Sequence, residues 1–188
     1  MKLMRRVLDS IYSISFWLAI LCLVAIAILV GLQVGARLVD TLLKAASLPP
    51  TNFVILSLSE IAGYLLAAGS FLALAGTLKG GSHIRVTMLI NNVSPRVRTV
   101  LEAGALLFGG ISTSYATWHL YQFAHTSWRF NEVSSGLVPV PLVYPQGAMV
   151  LGAVILAIAF FDEFLTTVRT GRPSFTGTED AISLGQES

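Results

Sequence analysis

Charge is what this chain most lacks. Only 12 % of its 188 residues are charged, about half the share found in a soluble domain. Residues 10–36, 61–78, 103–128 and 133–161 carry no charge at all. With 54 % apolar residues, little is left to build a solvated surface, so one membrane domain and no separate globular one is expected. Cysteine is nearly missing as well. The single Cys22 excludes an intrachain disulfide and thiolate metal clusters, and it reads as a small apolar packing residue. Catalytic signatures are also lacking: there is no Walker loop, no His-Glu-x-x-His and no Gly-x-Ser-x-Gly. The three histidines, His83, His119 and His125, fall at different expected depths, so no shared metal site and no cofactor are expected, and an enzyme is disfavoured. The net charge of +2 is too small to imply a nucleic-acid partner.

What the chain does have is length in its apolar runs. A helix needs about 20 residues to cross a hydrocarbon core, and inside lipid every backbone amide must be paired within the protein. The runs are too long and too continuous for barrel strands. The expected fold class is therefore an all-α integral membrane protein of four transmembrane helices, at about 12–37, 52–78, 95–123 and 145–167. Residues 1–170 form the membrane domain and 171–188 a polar, mobile tail. Lys2, Arg5 and Arg6 precede a first run longer than a signal-peptide core, which reads as an uncleaved helix.

Lysine and arginine set the orientation. Nine fall in the N-terminal tail, the loop between the second and third runs, and the C-terminal tail, against three in the other two loops. Both termini are thus expected in the cytoplasm. In the first outer loop, Leu38, Val39, Leu42, Leu43 and Ala46 continue the helical period until Pro49-Pro50 stops it. The second helix is expected to open near Asn52 and to carry Glu60 within it. On the inner side Gly80-Gly81-Ser82 ends that helix, residues 84–93 suit a short helix on the membrane surface, and Ser94-Pro95 starts the third. Trp118, Tyr121 and Trp128 fit an outer interfacial anchor. Residues 134–145 are apolar but too proline-rich for a helix, and Pro145 is expected to open the fourth.

Two features bear on partners. Small residues recur every four positions: Ala27, Gly31 and Gly35 on the first helix, Gly69 and Ala73 on the second, Ala105, Gly109, Thr113 and Thr117 on the third, Ala148 and Gly152 on the fourth. Such stripes let helix backbones approach closely in lipid; they serve packing within the chain or contact with another membrane protein. Glu60 is an acid at the edge of a membrane helix, which is either a polar contact or ion site or a charge favoured by the helix dipole.

With the helices assigned, the inner-loop segment Gly80-Gly81-Ser82-His83-Ile84-Arg85-Val86 closely resembles the Gly-x-His-Ile-Arg-Val signature of the small membrane subunit of TRAP (tripartite ATP-independent periplasmic) transporters, the DctQ-like family. Glu60 stands where that family has an acid near the start of its second helix. Ser134 to Pro145 with Gln146 resembles its Ser-x-Gly-Leu-x-Pro-x-Pro stretch, and within it Ser135, Gly136, Pro139 and Pro141 are candidate partner or structural residues. Many members carry tryptophan near these two places, where this chain has Ser57 to Ser59 and Leu142-Val143. The resemblance implies a non-catalytic subunit in a bacterial inner membrane. Its partners would be a large membrane subunit, which it braces, and a periplasmic substrate-binding protein, in sodium-driven uptake of an organic acid. His83 and Arg85 would be structural, and Lys44 and Arg129 would belong to the docking face. The alternative is a stand-alone four-helix membrane protein, either a small self-assembling carrier or a membrane enzyme.

Overall fold

The computed structural model describes residues 2–79 and 95–170. The described residues form four helices: α1 (Lys2–Ala45), α2 (Leu58–Lys79), α3 (Pro95–Arg129) and α4 (Val143–Thr170). The expected surface helix at 84–93 and the tail at 171–188 lie outside the described residues. α1, α2 and α4 are each long and apolar enough to cross a membrane. α3 has the length but not the apolarity: its charge-free stretch holds glycines, serines, threonines, two histidines and a glutamine. Three membrane-length apolar helices, not four, are therefore apparent from composition.

The helices stand in a row rather than a closed bundle. α1 packs on α2, α2 on α4, and α4 on α3, so the spatial order departs from the chain order. Their directions follow from the contacts. Asp9 meets Lys79, and Ser15 Oγ donates to the Leu72 carbonyl at 2.6 Å, so α1 and α2 are antiparallel. Lys79 also meets Asp162, and Gly152 lies against Phe71, so α2 and α4 run parallel. The start of α1 and the end of α4 consequently lie at the same end of the row, here called the terminal end; the other is the loop end.

Small residues make the seams. A Cβ built on Gly152 would stand 2.5 Å from the Phe71 carbonyl carbon and 2.8 Å from the Leu72 nitrogen. No side chain can yield there, because the obstacle is backbone. Gly69 lies against Ala19 and Cys22 across the α1–α2 seam, which gives the lone cysteine its packing role, and Gly109 lies under the Phe160 ring across α3–α4. The core is narrow and sits towards the terminal end, where Tyr12, Ala75, Leu78, Ile155, Leu156 and Ala159 meet. Much of the remaining apolar surface is uncovered, including Trp17, Leu21, Phe108, Ile111 and Leu151. Lipid or a membrane partner must supply the cover that water cannot.

α1 is much longer than its neighbour, about 66 Å against about 33 Å for α2 at 1.5 Å per residue. It stays helical beyond Arg37 and closes in a Schellman turn: Leu48 N–H donates to the Leu43 carbonyl and Ser47 N–H to that of Lys44, with Ser47 at φ 59°. Residues 49–57 then return alongside α1. α2 begins at Leu58 rather than near Asn52, because Pro49-Pro50 and the positive φ of Asn52 and Ser57 hold the connecting segment out of helical geometry.

Replacing Gly152 by valine is expected to force α2 and α4 apart and to cost about 1–3 kcal/mol or more of stability. Gly147→Ala, where a Cβ meets nothing within 4 Å, should be close to neutral. Thermal unfolding of both variants in detergent checks the contrast.

Candidate functional site

The loop end carries the candidate site, and three segments build it. The first is the return segment after α1. Thr51 donates to Asp40 Oδ1 from its N–H at 2.7 Å and from its hydroxyl at 2.6 Å, which ties the descending chain to the last turns of α1. Lower down, Ile55 N–H donates to Gln33 Oε1 at 2.7 Å. A buried glutamine thus pairs a backbone amide that has no strand partner, as irregular backbone near lipid demands. The start of α2 consequently stands level with Gln33, and α1 overhangs it by about 18 Å.

The second segment is the start of α2. Ser57 accepts the first helical bonds, from the N–H groups of Glu60 and Ile61, both at 3.0 Å. Glu60 lies in the first turn, where the dipole favours a carboxylate. Its Oε1 accepts from the Tyr64 hydroxyl at 2.9 Å, while its buried Oε2 has no hydrogen-bond partner.

The third segment joins α3 to α4. α3 ends, like α1, in a Schellman turn: Glu132 N–H donates to the Ser127 carbonyl and Asn131 N–H to that of Trp128, with Asn131 at φ 50°. Residues 133–141 then close on themselves. Val133 pairs with Pro141, Ser134 N–H donates to the Val140 carbonyl at 2.9 Å, and Val140 N–H donates to Ser134 Oγ at 3.1 Å. This loop is pinned to α2, because Val138 N–H donates to Ser57 Oγ at 3.0 Å and Gly136 sits directly on the Glu60 carboxylate. Any Cβ at position 136 would occupy the place of Glu60 Oε2.

Between the three segments lies an open cavity of about 540 Å³, whose polar lining is Gln33, Arg37, Ser57, Ser59, Glu60 and Ser135, with Gly136 and apolar neighbours. Glu60 and Gly136, far apart in sequence, meet there. Ser135 is exposed, and Pro139 and Pro141 are exposed on the rest of the loop. Lys44 and Arg129 are exposed in the last turns of α1 and α3, at opposite edges of the row. Gly31 and Gly35 face open space, since a Cβ at either meets nothing within 4 Å. His83 and Arg85 lie outside the described residues. His119 and His125 are exposed on α3 among aromatic rings, with Tyr115–His119 centroids 4.5 Å apart and His125–Trp128 centroids 6.0 Å apart. No group of metal-ligating side chains occurs among the described residues.

One cluster at the terminal end escaped sequence reasoning. Lys79, the last residue of α2, reaches Asp9 of α1 at 3.0 Å and Asp162 of α4 at 3.1 Å, and its ammonium lies 4.6 Å from the Tyr12 ring centroid. One cation therefore joins three helices while also favouring the α2 dipole. In the sequence Lys79 counts only as one more positive charge; its partners, Asp9 and Asp162, each flanking a charge-free run, were the available signal.

The family model for the tripartite ATP-independent periplasmic transporters, DctQ component, matches residues 51–170, well over half of the chain. The match takes in α2, α3 and α4 and both loop-end connections to α2 and α4, and it begins after α1. No curated protein sequence matches the chain.

The pin between Gly136 and Glu60 makes a specific demand. Gly136→Ala should lower the unfolding temperature of the purified chain, at a cost of about 1–3 kcal/mol. Adding Glu60→Ala should recover at least part of that loss, because it removes the group that the new methyl meets. A thermal double-mutant cycle reads the coupling directly.

Proposed function

This chain belongs to the DctQ-component family of the tripartite ATP-independent periplasmic transporters, and from that premise we propose that it is the non-catalytic small permease subunit that braces the large membrane subunit and helps dock the periplasmic substrate-binding protein. The family match over residues 51–170 carries this reading. The subunit works in sodium-driven uptake of an organic acid across a bacterial inner membrane, with all four helices crossing and both termini in the cytoplasm.

Several features support the finer points. A row of helices exposes two broad apolar faces, and a large partner would cover one of them. The small-residue stripes of α2, α3 and α4 are used inside the chain, whereas Gly31 and Gly35 are free for a partner helix. α3 is less polar in effect than its composition, because Ser114, Thr117 and Thr126 donate to the carbonyls of Gly110, Thr113 and Gln122 on their own helix. Its loop-end rings, Trp118, Tyr121 and Trp128, suit an interfacial belt.

Docking would use the loop end. Lys44 and Arg129 stand at opposite edges of a row some 27 Å across, at about 9 Å per helix spacing. With Asp40 and Glu132 they make a sparse, mixed pattern suited to a reversible encounter. In liposomes, uptake should require the large subunit and the binding protein; transport by this chain alone would favour the stand-alone carrier. Lys44→Glu and Arg129→Glu should reduce uptake chiefly at low binding-protein concentration while the membrane complex still assembles.

Orientation has its own test. In a Cys22→Ser background, single cysteines at Ser47 and Ser135 should react with an impermeant thiol reagent added to intact cells, and cysteines at Asn91 and Ser183 should not. The reverse pattern would invert the topology.

A further inference from the structure

α3 carries a line of side chains that the rest of the chain does not use. Its buried residues Leu106, Gly110, Ala124 and Ser127 lie on the side that packs on α4. Ser112, Tyr115, His119, Gln122 and Thr126 are all exposed. They recur at steps of three and four, which at about 3.6 residues per turn sets them in one line, turned away from α4. Steps of three and four also make the seam between two helices that cross at about 20°. At 1.5 Å per residue the line is about 21 Å long.

Its depth matters more than its length. Leu142 N–H donates to the Glu132 carbonyl at 3.0 Å, and Gly109 lies under the Phe160 ring, so α3 and α4 are antiparallel. His119, about 15 Å further along α3, therefore stands level with Val150, beside the contact of Gly152 with Phe71. By helical rise that level is about 16 Å from Glu60 and about 12 Å from Lys79, the charges that bracket the run of α2. An imidazole is thus exposed near the middle of a hydrocarbon layer about 30 Å thick. Tyr115 and Gln122 lie within about 6 Å of the same level along the axis. Among the described residues these three side chains make no hydrogen bond; the Tyr115 and His119 rings, with centroids 4.5 Å apart, touch only each other. Lipid tails supply no donor or acceptor, and polar side chains at this depth face protein.

We propose that this flank of α3 is the seam on which a transmembrane helix of the large subunit packs. The inference deepens the subunit reading above, with all four helices crossing, and rests on it. The partner helix offers acceptors to the Tyr115 hydroxyl and to the His119 ring N–H, and it pairs with the Gln122 amide. It has small residues opposite the two rings, so that the backbones can approach. A second copy of this chain fits worse. Copies in one membrane share one orientation, so a twofold seam would set Tyr115 against Tyr115 and His119 against His119, bulk against bulk.

The test co-expresses the tagged large subunit with equal amounts of wild-type chain and of the double variant His119→Leu with Gln122→Leu. Mass spectrometry of the complex captured in detergent reads the ratio of the two chains. Hydrogen bonds between membrane helices are individually modest, and losing both should leave the variant captured about tenfold less than the wild type. Leucine is at home against lipid or detergent, so the variant alone should melt no lower than the wild type. If it does melt lower, a cross-link decides. Tyr115 or Gln122, replaced singly by photoreactive benzoylphenylalanine, should bond to the large subunit on illumination. Equal capture of the two chains overturns the proposal, and so does cross-linking only to lipid or to a second copy of this chain. If neither chain is captured, the subunit reading itself has failed and the seam fails with it. If the wild type is captured but the flank neither weakens capture nor cross-links, the seam alone is wrong.

Discussion

Gly152 rests on the backbone of Phe71 and Leu72 with nothing between them, and the arrangement of the other helices depends on that approach. Two parallel helices can come this close only where one has no Cβ. Once α2 and α4 are joined, each has one flank left, and α1 and α3 take those flanks. Lys79 completes the joint at the terminal end, because its reach to Asp9 and Asp162 ties an edge helix to both members of the central pair. Packing sets the spacing, and this ion pair sets the register.

At the loop end the problem is different, since the backbone amides of two connecting segments find no helix or strand partner. Side chains resolve it. Gln33 takes the amide of Ile55, Asp40 that of Thr51, Ser57 that of Val138, and Ser134 that of Val140. Each is a polar residue beside an apolar run, and each takes a backbone donor that no helix or strand pairs. Glu60 belongs to the same system. It begins α2, bonds Tyr64, and carries the loop that Gly136 allows to settle on it.

Much of the helical content was legible from charge alone, because Asp9, Arg37, Glu60, Lys79, Glu102, Arg129, Glu132 and Asp162 bracket the four charge-free runs. The small-residue periods marked seams but not which ones. Gly31 and Gly152 sit in equivalent patterns, yet one faces open space and the other a backbone. That difference depends on the order of helices in space, which local periodicity does not encode. α2 starts about six residues later than the sequence suggests, because apolarity continues through Phe53, Val54 and Ile55, and only the backbone angles at Asn52 and Ser57 show that the chain there is not helical. The site itself was half visible: Glu60 and Gly136 stood out, but Gln33 and Arg37 look like ordinary residues at the end of a run until the return segment folds against them.

The row also has a consequence for how the protein is made. Chain order is α1, α2, α3, α4, whereas spatial order is α1, α2, α4, α3. A hairpin of α1 and α2 is complete as soon as both have left the ribosome. α3 follows with no substantial contact on either and must wait. Only when α4 is released does it insert between them, capturing α2 along one side and α3 along the other. Biogenesis is thus a closing step by the last helix synthesised, and until it happens α3 stands apart from the α1–α2 pair.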